Sequence, residues 1–147
     1  IYQFSYSAEG YLTGIVENID NTEYSSTSLT YENGDITSIS SKMNGLENKF
    51  IYEPGEESST YHLPCLGLLE IHPLTFHIEA LYAGLLGKDP RHFTIRSCPA
   101  GSNDEKTIYS YEFDKKGNPS RMICQTTYAG GQASYYPYTR NISISFE

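Results

Sequence analysis

Apolar side chains fall on every second residue near the start, in the later middle and at the end of the chain. In IYQFSYSAEGYLTGIV, Tyr2, Phe4 and Tyr6 alternate with Gln3 and Ser5. IYSYEFD repeats the pattern with Tyr109, Tyr111 and Phe113 against Ser110 and Glu112, and ISISF does so with Ile142, Ile144 and Phe146 against Ser143 and Ser145. Successive side chains of a strand point to opposite faces, so these segments predict half-buried antiparallel strands with one apolar and one wet face.

Turn chemistry separates the strands. Asn33-Gly34 supplies two residues that tolerate positive φ, which predicts a two-residue hairpin. Pro54-Gly55 predicts a type II turn, with Pro setting the first central φ and Gly freeing the second. Ser7 to Gly10 and Asp114 to Gly117 predict longer hairpin loops. The units around Tyr6, Tyr31, Tyr52 and Phe113 share one order: an aromatic at the strand end, an acidic or small polar residue, Gly, then a second strand. Such a repeat predicts a meander of hairpins.

The rhythm changes in HPLTFHIEALYAGLLGKDP. Leu74, Ile78, Leu81, Tyr82 and Leu85 recur at helical spacing after Pro73, and Gly87 is a stop, with Lys88 near the negative end and Pro90 beyond it. Phe76, Ala80 and Ala83 occupy the other faces, so a helix at about 73–86 would be apolar nearly all round and therefore buried. The fold expected is mainly β with one helix: an antiparallel meander of about eight strands, curved as an open or partial barrel around a central buried α-helix, in one domain spanning 1–147. A helix in the lumen and Ser, Glu and Lys on the outside would together exclude a porin-like channel.

Taken together, AGLLGK (Ala83 to Lys88) and the Y-x-F-D-x-x-G-x-P pair (Tyr111 to Pro119), set among Y-x-Y-x-x-x-G-x-L hairpins and a final ISISF strand, resemble a family of Bacteroidetes secreted lipoproteins. That family carries a domain of unknown function described as porin-like in fold. The resemblance implies an envelope or surface protein with no assigned activity and, in the full precursor, an N-terminal lipid anchor. The chain opens at Ile1 without a leader, so removal of a leader by processing is expected. The hairpin unit is also similar, more distantly, to the YD repeats of large bacterial surface proteins.

Charge narrows the partners. Ten Lys and Arg stand against 18 Asp and Glu, giving −8 at pH 7 without a basic cluster, so a phosphate backbone is repelled and nucleic acid is not expected. The longest apolar stretch, around Leu66 to Ile71, falls far short of the roughly 20 residues of a spanning helix, so no transmembrane segment is expected. Fourteen Tyr and no Trp lean toward a secreted β-protein. Cys65, Cys98 and Cys124 lack C-x-x-C spacing and read first as buried thiols, with one disulfide as the alternative.

Candidate chemistry is scattered. His62, Cys65, His72 and His77 lie within sixteen residues, with His92 and Cys98 further on, and imidazole and thiolate are Zn²⁺ ligands; yet the five-residue step from His72 to His77 misses the helical i, i+4 face. Cys65 beside a His is the weaker case for a nucleophile, since no G-x-S-x-G elbow accompanies it. Glu32 with Asp35, Glu53, Glu56 with Glu57, and Asp104 with Glu105 flank turns, where acidic residues are ordinary; Glu79, on the expected helix, is the one carboxylate placed for partial burial. Glu17, Asp20, Asn21 and Glu23 offer oxygens for Ca²⁺ without the spacing of an EF-hand. Tyr128, Tyr135, Tyr136 and Tyr138, around Gly130-Gly131, offer rings for a sugar or protein, against cross-strand packing as the bland reading.

The leading expectation is a non-catalytic envelope module that binds a glycan, peptide or protein partner through the Tyr-rich edge, with no cofactor. The alternatives are a metal- or cysteine-dependent hydrolase built on His62, Cys65, His72 and His77, and a structural or assembly domain.

Overall fold

Three two-residue turns lay out the first half of the chain. Asp20-Asn21, Asn33-Gly34 and Asn44-Gly45 each carry positive φ at both positions, 49° and 63°, 54° and 87°, 52° and 77°. That is the geometry of the tight hairpin turn whose twist matches its strands, and Asn, Asp and Gly adopt it at the least steric cost. In the computed structural model, which describes residues 1–58, 80, 83–102, 104–128 and 138–143, these turns join β2 (Leu12–Ile19), β3 (Thr22–Glu32), β4 (Asp35–Met43) and β5 (Leu46–Ser58). β1 (Tyr2–Tyr6) precedes them, and β6 (His92–Pro99), β7 (Glu105–Phe113), β8 (Pro119–Tyr128) and β9 (Tyr138–Ser143) follow. The nine described strands form one antiparallel sheet in chain order, with β1 and β9 at its two ends.

The two hairpins that read alike in sequence are alike in structure. In the β1–β2 loop, Ser7 N–H donates to Tyr11 O and Gly10 N–H to Ser7 O; in the β7–β8 loop, Asp114 N–H donates to Asn118 O and Gly117 N–H to Asp114 O. The first side chain of each loop accepts from the fifth amide, Ser7 Oγ from Tyr11 at 3.2 Å and Asp114 Oδ1 from Asn118 at 2.8 Å. Gly10 and Gly117 take φ of 90° and 85° at the same position. The register also shifts at the same place, pairing Tyr6 with Leu12 and Phe113 with Pro119.

The larger core gathers Leu12, Ile15, Leu29, Ile36, Ile39 and Tyr52, with Phe4, Tyr31, Phe50 and Leu86 packed against it. Ile36 and Ile39 are three residues apart and would face opposite sides of a regular strand. A register shift between Thr30 and Tyr31 opposite them resets the alternation, so both are buried. Burying side chains of this size contributes about 1.5–3 kcal/mol each. The smaller cluster joins Tyr109, Met122 and Cys124, flanked by Tyr111. The opposite face is polar where β2 to β5 lie side by side: Ser26, Lys42 and Glu47 form one cross-strand row, and Ser28, Ser40 and Lys49 the next.

Several expectations need correction. The partial barrel around a central buried α-helix is overturned: the described part is an open nine-strand meander whose first and last strands do not pair, and no helix is formed by the described residues, of which Ala80 alone is helical. Most of the expected 73–86 span lies outside the described residues, but 83–86 form turns, because Gly84 and Gly87 take φ of 70° and 71°. Without a helix to fill the lumen, a channel is no longer excluded. Pro54-Gly55 is not a type II turn either. Gly55 lacks the positive φ such a turn demands, and both residues lie inside β5, where the register against β6 shifts. Glycine is required there for space, since a Cβ would sit 2.6 Å from Ile95 Cγ2.

Candidate functional site

The AGLLGKDPRHF segment, read as the end of a helix, is a strap across the loops of the first half. Tyr6 Oη donates to Leu85 O at 2.8 Å, Gly87 bridges to Tyr11, and Lys88 N–H donates to Gly10 O at 2.8 Å. Three residues on, Arg91 N–H donates to Gly34 O at 3.1 Å and Arg91 Nη1 to Asn33 O at 3.2 Å. Two glycines permit this approach. A Cβ on Gly87 would lie 2.8 Å from Gly10 O and 2.9 Å from Leu12 N, and one on Gly34 would lie 2.6 Å from Arg91 Cδ and 2.7 Å from Tyr11 Oη. Gly34 is therefore needed twice, for its positive φ and for the arginine stem that crosses it.

His92 completes the attachment. Its backbone N–H donates to Asp35 Oδ1 and its ring Nδ1 lies 2.8 Å from Oδ2, so both oxygens of a buried carboxylate are engaged. A buried carboxylate requires such partners. The pair latches the start of β6 to the start of β4.

Between the strap and the loops runs an open cleft of about 860 Å³. Ser7, Ala8 and Glu9 of the β1–β2 loop, Asn33 and Gly34 of the β3–β4 turn, and Lys88 and Arg91 of the strap line it, together with Thr13, Thr30 and Tyr31. The Tyr11 and Tyr31 rings pack at 4.9 Å between centroids, tilted by 32°, and Lys88 Nζ stands 4.9 Å from the Tyr11 centroid, within cation–π range. Tyr11 is buried, whereas Tyr31 keeps a half-exposed ring. The cleft thus offers an aromatic face, several hydroxyls, two cations and one carboxylate. That inventory suits binding of a polar, ring-shaped ligand.

The residues singled out from sequence lie elsewhere. His62, Cys65, His72 and His77 lie outside the described residues, as do Glu79, Tyr135 and Tyr136. Tyr128 ends β8 opposite Glu105, and Tyr138 begins β9 opposite Thr126. Asp20 and Asn21 form a hairpin turn, while Glu17 accepts from Tyr2 Oη and Ser25 Oγ, so the calcium reading of ENIDNTE gives way to a turn and a cross-strand hydrogen-bond set. Among the described residues no three His, Cys, Asp or Glu side chains converge on a point. Asp35 stands opposite Glu32 in the β3–β4 register, and its carboxylate binds His92. Glu53 and Glu112 pair with Arg96 and Arg121 at the surface. No disulfide joins Cys98 to Cys124: Cys98 shares a face with Ile51, and Cys124 the opposite face with Tyr109 and Ser97.

Lys88 and Arg91 are the residues sequence reasoning missed. Their signal was the Gly-Lys-Asp-Pro-Arg run itself, in which a second glycine three residues after Gly84 fits a strap seated on backbone better than a helix end.

A family model for a domain of unknown function (DUF4595) with porin-like fold matches residues 1–121. No curated protein matches the chain. Among solved structures, a porin-like protein from Bacteroides uniformis ATCC 8492 is similar, with a TM-score of 0.81 and 25% identity over 99% of this chain. The chain spans 59% of the length of that protein.

Proposed function

From the premise that this chain belongs to the DUF4595 family of domains with porin-like fold, we propose that it is a non-catalytic binding module of the bacterial cell envelope that takes a glycan in the cleft beneath the 83–93 strap. One observation carries the reading: two cationic residues whose backbones are tied down by hydrogen bonds, and a half-exposed tyrosine ring packed on Tyr11, surround about 860 Å³ of space edged with serine and threonine residues. Sugars present C–H faces to aromatic rings and hydroxyls to polar side chains, and a site held in place before binding loses less entropy on binding. An envelope location, with a secreted and lipid-anchored precursor, is supported by the likeness to a porin-like Bacteroides protein and by the motifs shared with secreted lipoproteins.

Ala8→Trp tests the reading, because Ala8 is exposed and lines the cleft without contributing to the core. A glycan array followed by calorimetry on the untagged domain should find an oligosaccharide ligand. Ala8→Trp should weaken it more than tenfold while the melting temperature stays within about 2 °C. Binding that survives Ala8→Trp and disappears in Tyr135→Ala or Tyr136→Ala would return the site to the Tyr-rich segment before β9.

A further inference from the structure

We infer that the cleft selects an acidic saccharide, and that Lys88 and Arg91 receive its acid group; this rests on the cleft being a glycan site. The chain carries −8 overall, yet Lys88 and Arg91 both line the cleft, with Glu9 as the one carboxylate among the described lining residues. In an acidic protein such a local surplus of positive charge runs against the background field, which would otherwise deter an anion.

Both cations are also held in place. A surface lysine or arginine usually samples many rotamers and contributes little to recognition. Here the Lys88 and Arg91 backbones are tied to Gly10 and Gly34 by their own amides, the Arg91 stem lies across Gly34, and Lys88 Nζ rests against the Tyr11 ring. Of the five guanidinium donors, one bond runs to Asn33 O, and none of the described residues takes the Nε–Nη2 edge, whose parallel pair suits a carboxylate or sulfate. Among the described residues Lys88 Nζ contacts the Tyr11 ring and forms no ion pair, so no salt bridge to them has to break before a ligand is met. Ser7, Thr13, Thr30 and the Tyr31 ring then face the remainder of a sugar, not the side chains of an acidic peptide.

The shared chemistry is an anionic group on a sugar ring, supplied by a uronate carboxylate or by a sulfate ester. The test is calorimetry on the untagged domain with three oligosaccharides of equal length: neutral, uronate-containing and sulfated. At least one acidic ligand should bind about tenfold or more tighter than the neutral one, and raising NaCl from about 50 to 500 mM should erase most of that difference. Whichever acidic arm binds tighter identifies the acid group. Lys88→Gln and Arg91→Gln should each weaken the acidic ligand about tenfold more than they weaken the neutral one, and Arg91→Lys should recover part of the loss. Lys88→Gln decides the matter should Arg91→Gln lower the melting temperature, because among the described residues the Lys88 charge meets only the Tyr11 ring. Equal affinities for neutral and acidic ligands, both lost in Ala8→Trp, would overturn the inference and leave the glycan site standing. Binding of no saccharide at all would overturn both.

Discussion

Glycines 10 and 87 share a left-handed backbone but occupy different surroundings. Around a Cβ added to Gly10 nothing lies within 4 Å, so Gly10→Ala bears only the cost of the left-handed conformation, about 1–2 kcal/mol. At Gly87 the same Cβ would meet two backbone atoms within 3 Å, Gly10 O and Leu12 N, which cannot rotate away. Gly87→Ala should therefore cost at least 1 kcal/mol more than Gly10→Ala, read as a lower midpoint in urea with the same slope; equal losses would mean that the strap is not seated as described. Asp114 is the titratable counterpart. The Asn118 backbone N–H, then its side-chain amide and the Lys116 N–H, favour its charged form and hold its pKa below the ordinary 3.8. A lowered folded-state pKa gives stability that is present above the unfolded value and is lost as pH falls through the folded one. Asp114→Ala should accordingly flatten the acid limb of the stability curve below about pH 4 and leave its shape near neutrality unchanged. An unchanged acid limb in denaturant titrations would rule this out.

At the level of elements, what the sequence showed depended on how local the cause was. Asn33-Gly34 was legible because two adjacent residues determine the turn, and Asn44-Gly45 carries the same signal. Asp20-Asn21 has the same backbone, but without a glycine, and among acidic neighbours, it read as a solvated acidic loop and not as a tight turn. The likeness of the β1–β2 and β7–β8 hairpins was visible in the aromatic, Gly and polar positions, and it extends to individual hydrogen bonds. Alternation placed Tyr109 and Tyr111 against the smaller core correctly. It gave β1 too apolar a face, since Tyr2 and Tyr6 are exposed on a strand at the end of the sheet. The 83–93 segment was misread because glycines at helical spacing resemble a helix end until the backbone they must approach is known. The cleft was not legible at all. Its walls come from positions as far apart as Ser7 and Arg91, and no local pattern reports that they meet.

Across the whole molecule, the two ends of the β1–β5 strands differ. One carries the cleft and its cations. The other, with the Asp20-Asn21 and Asn44-Gly45 turns, exposes Ile1, Tyr2, Ile19, Tyr24, Met43 and Leu46. The strap has a further consequence in time. The β2–β5 hairpins close through two-residue loops and form from local contacts, whereas Lys88 and Arg91 must find partners more than fifty residues away. The floor of the cleft is thus expected to assemble before its cations arrive, and the strap to open first in the finished protein. A ligand held by the strap and the floor together would oppose that opening. In hydrogen–deuterium exchange, an oligosaccharide at about 100 times its Kd should slow exchange at the Lys88 and Arg91 amides by up to about a hundredfold. The Asn118 amide, in the matching loop of the other hairpin, should exchange as before. Uniform slowing at all three would mean that the ligand steadies the sheet as a whole and that the strap is no gate.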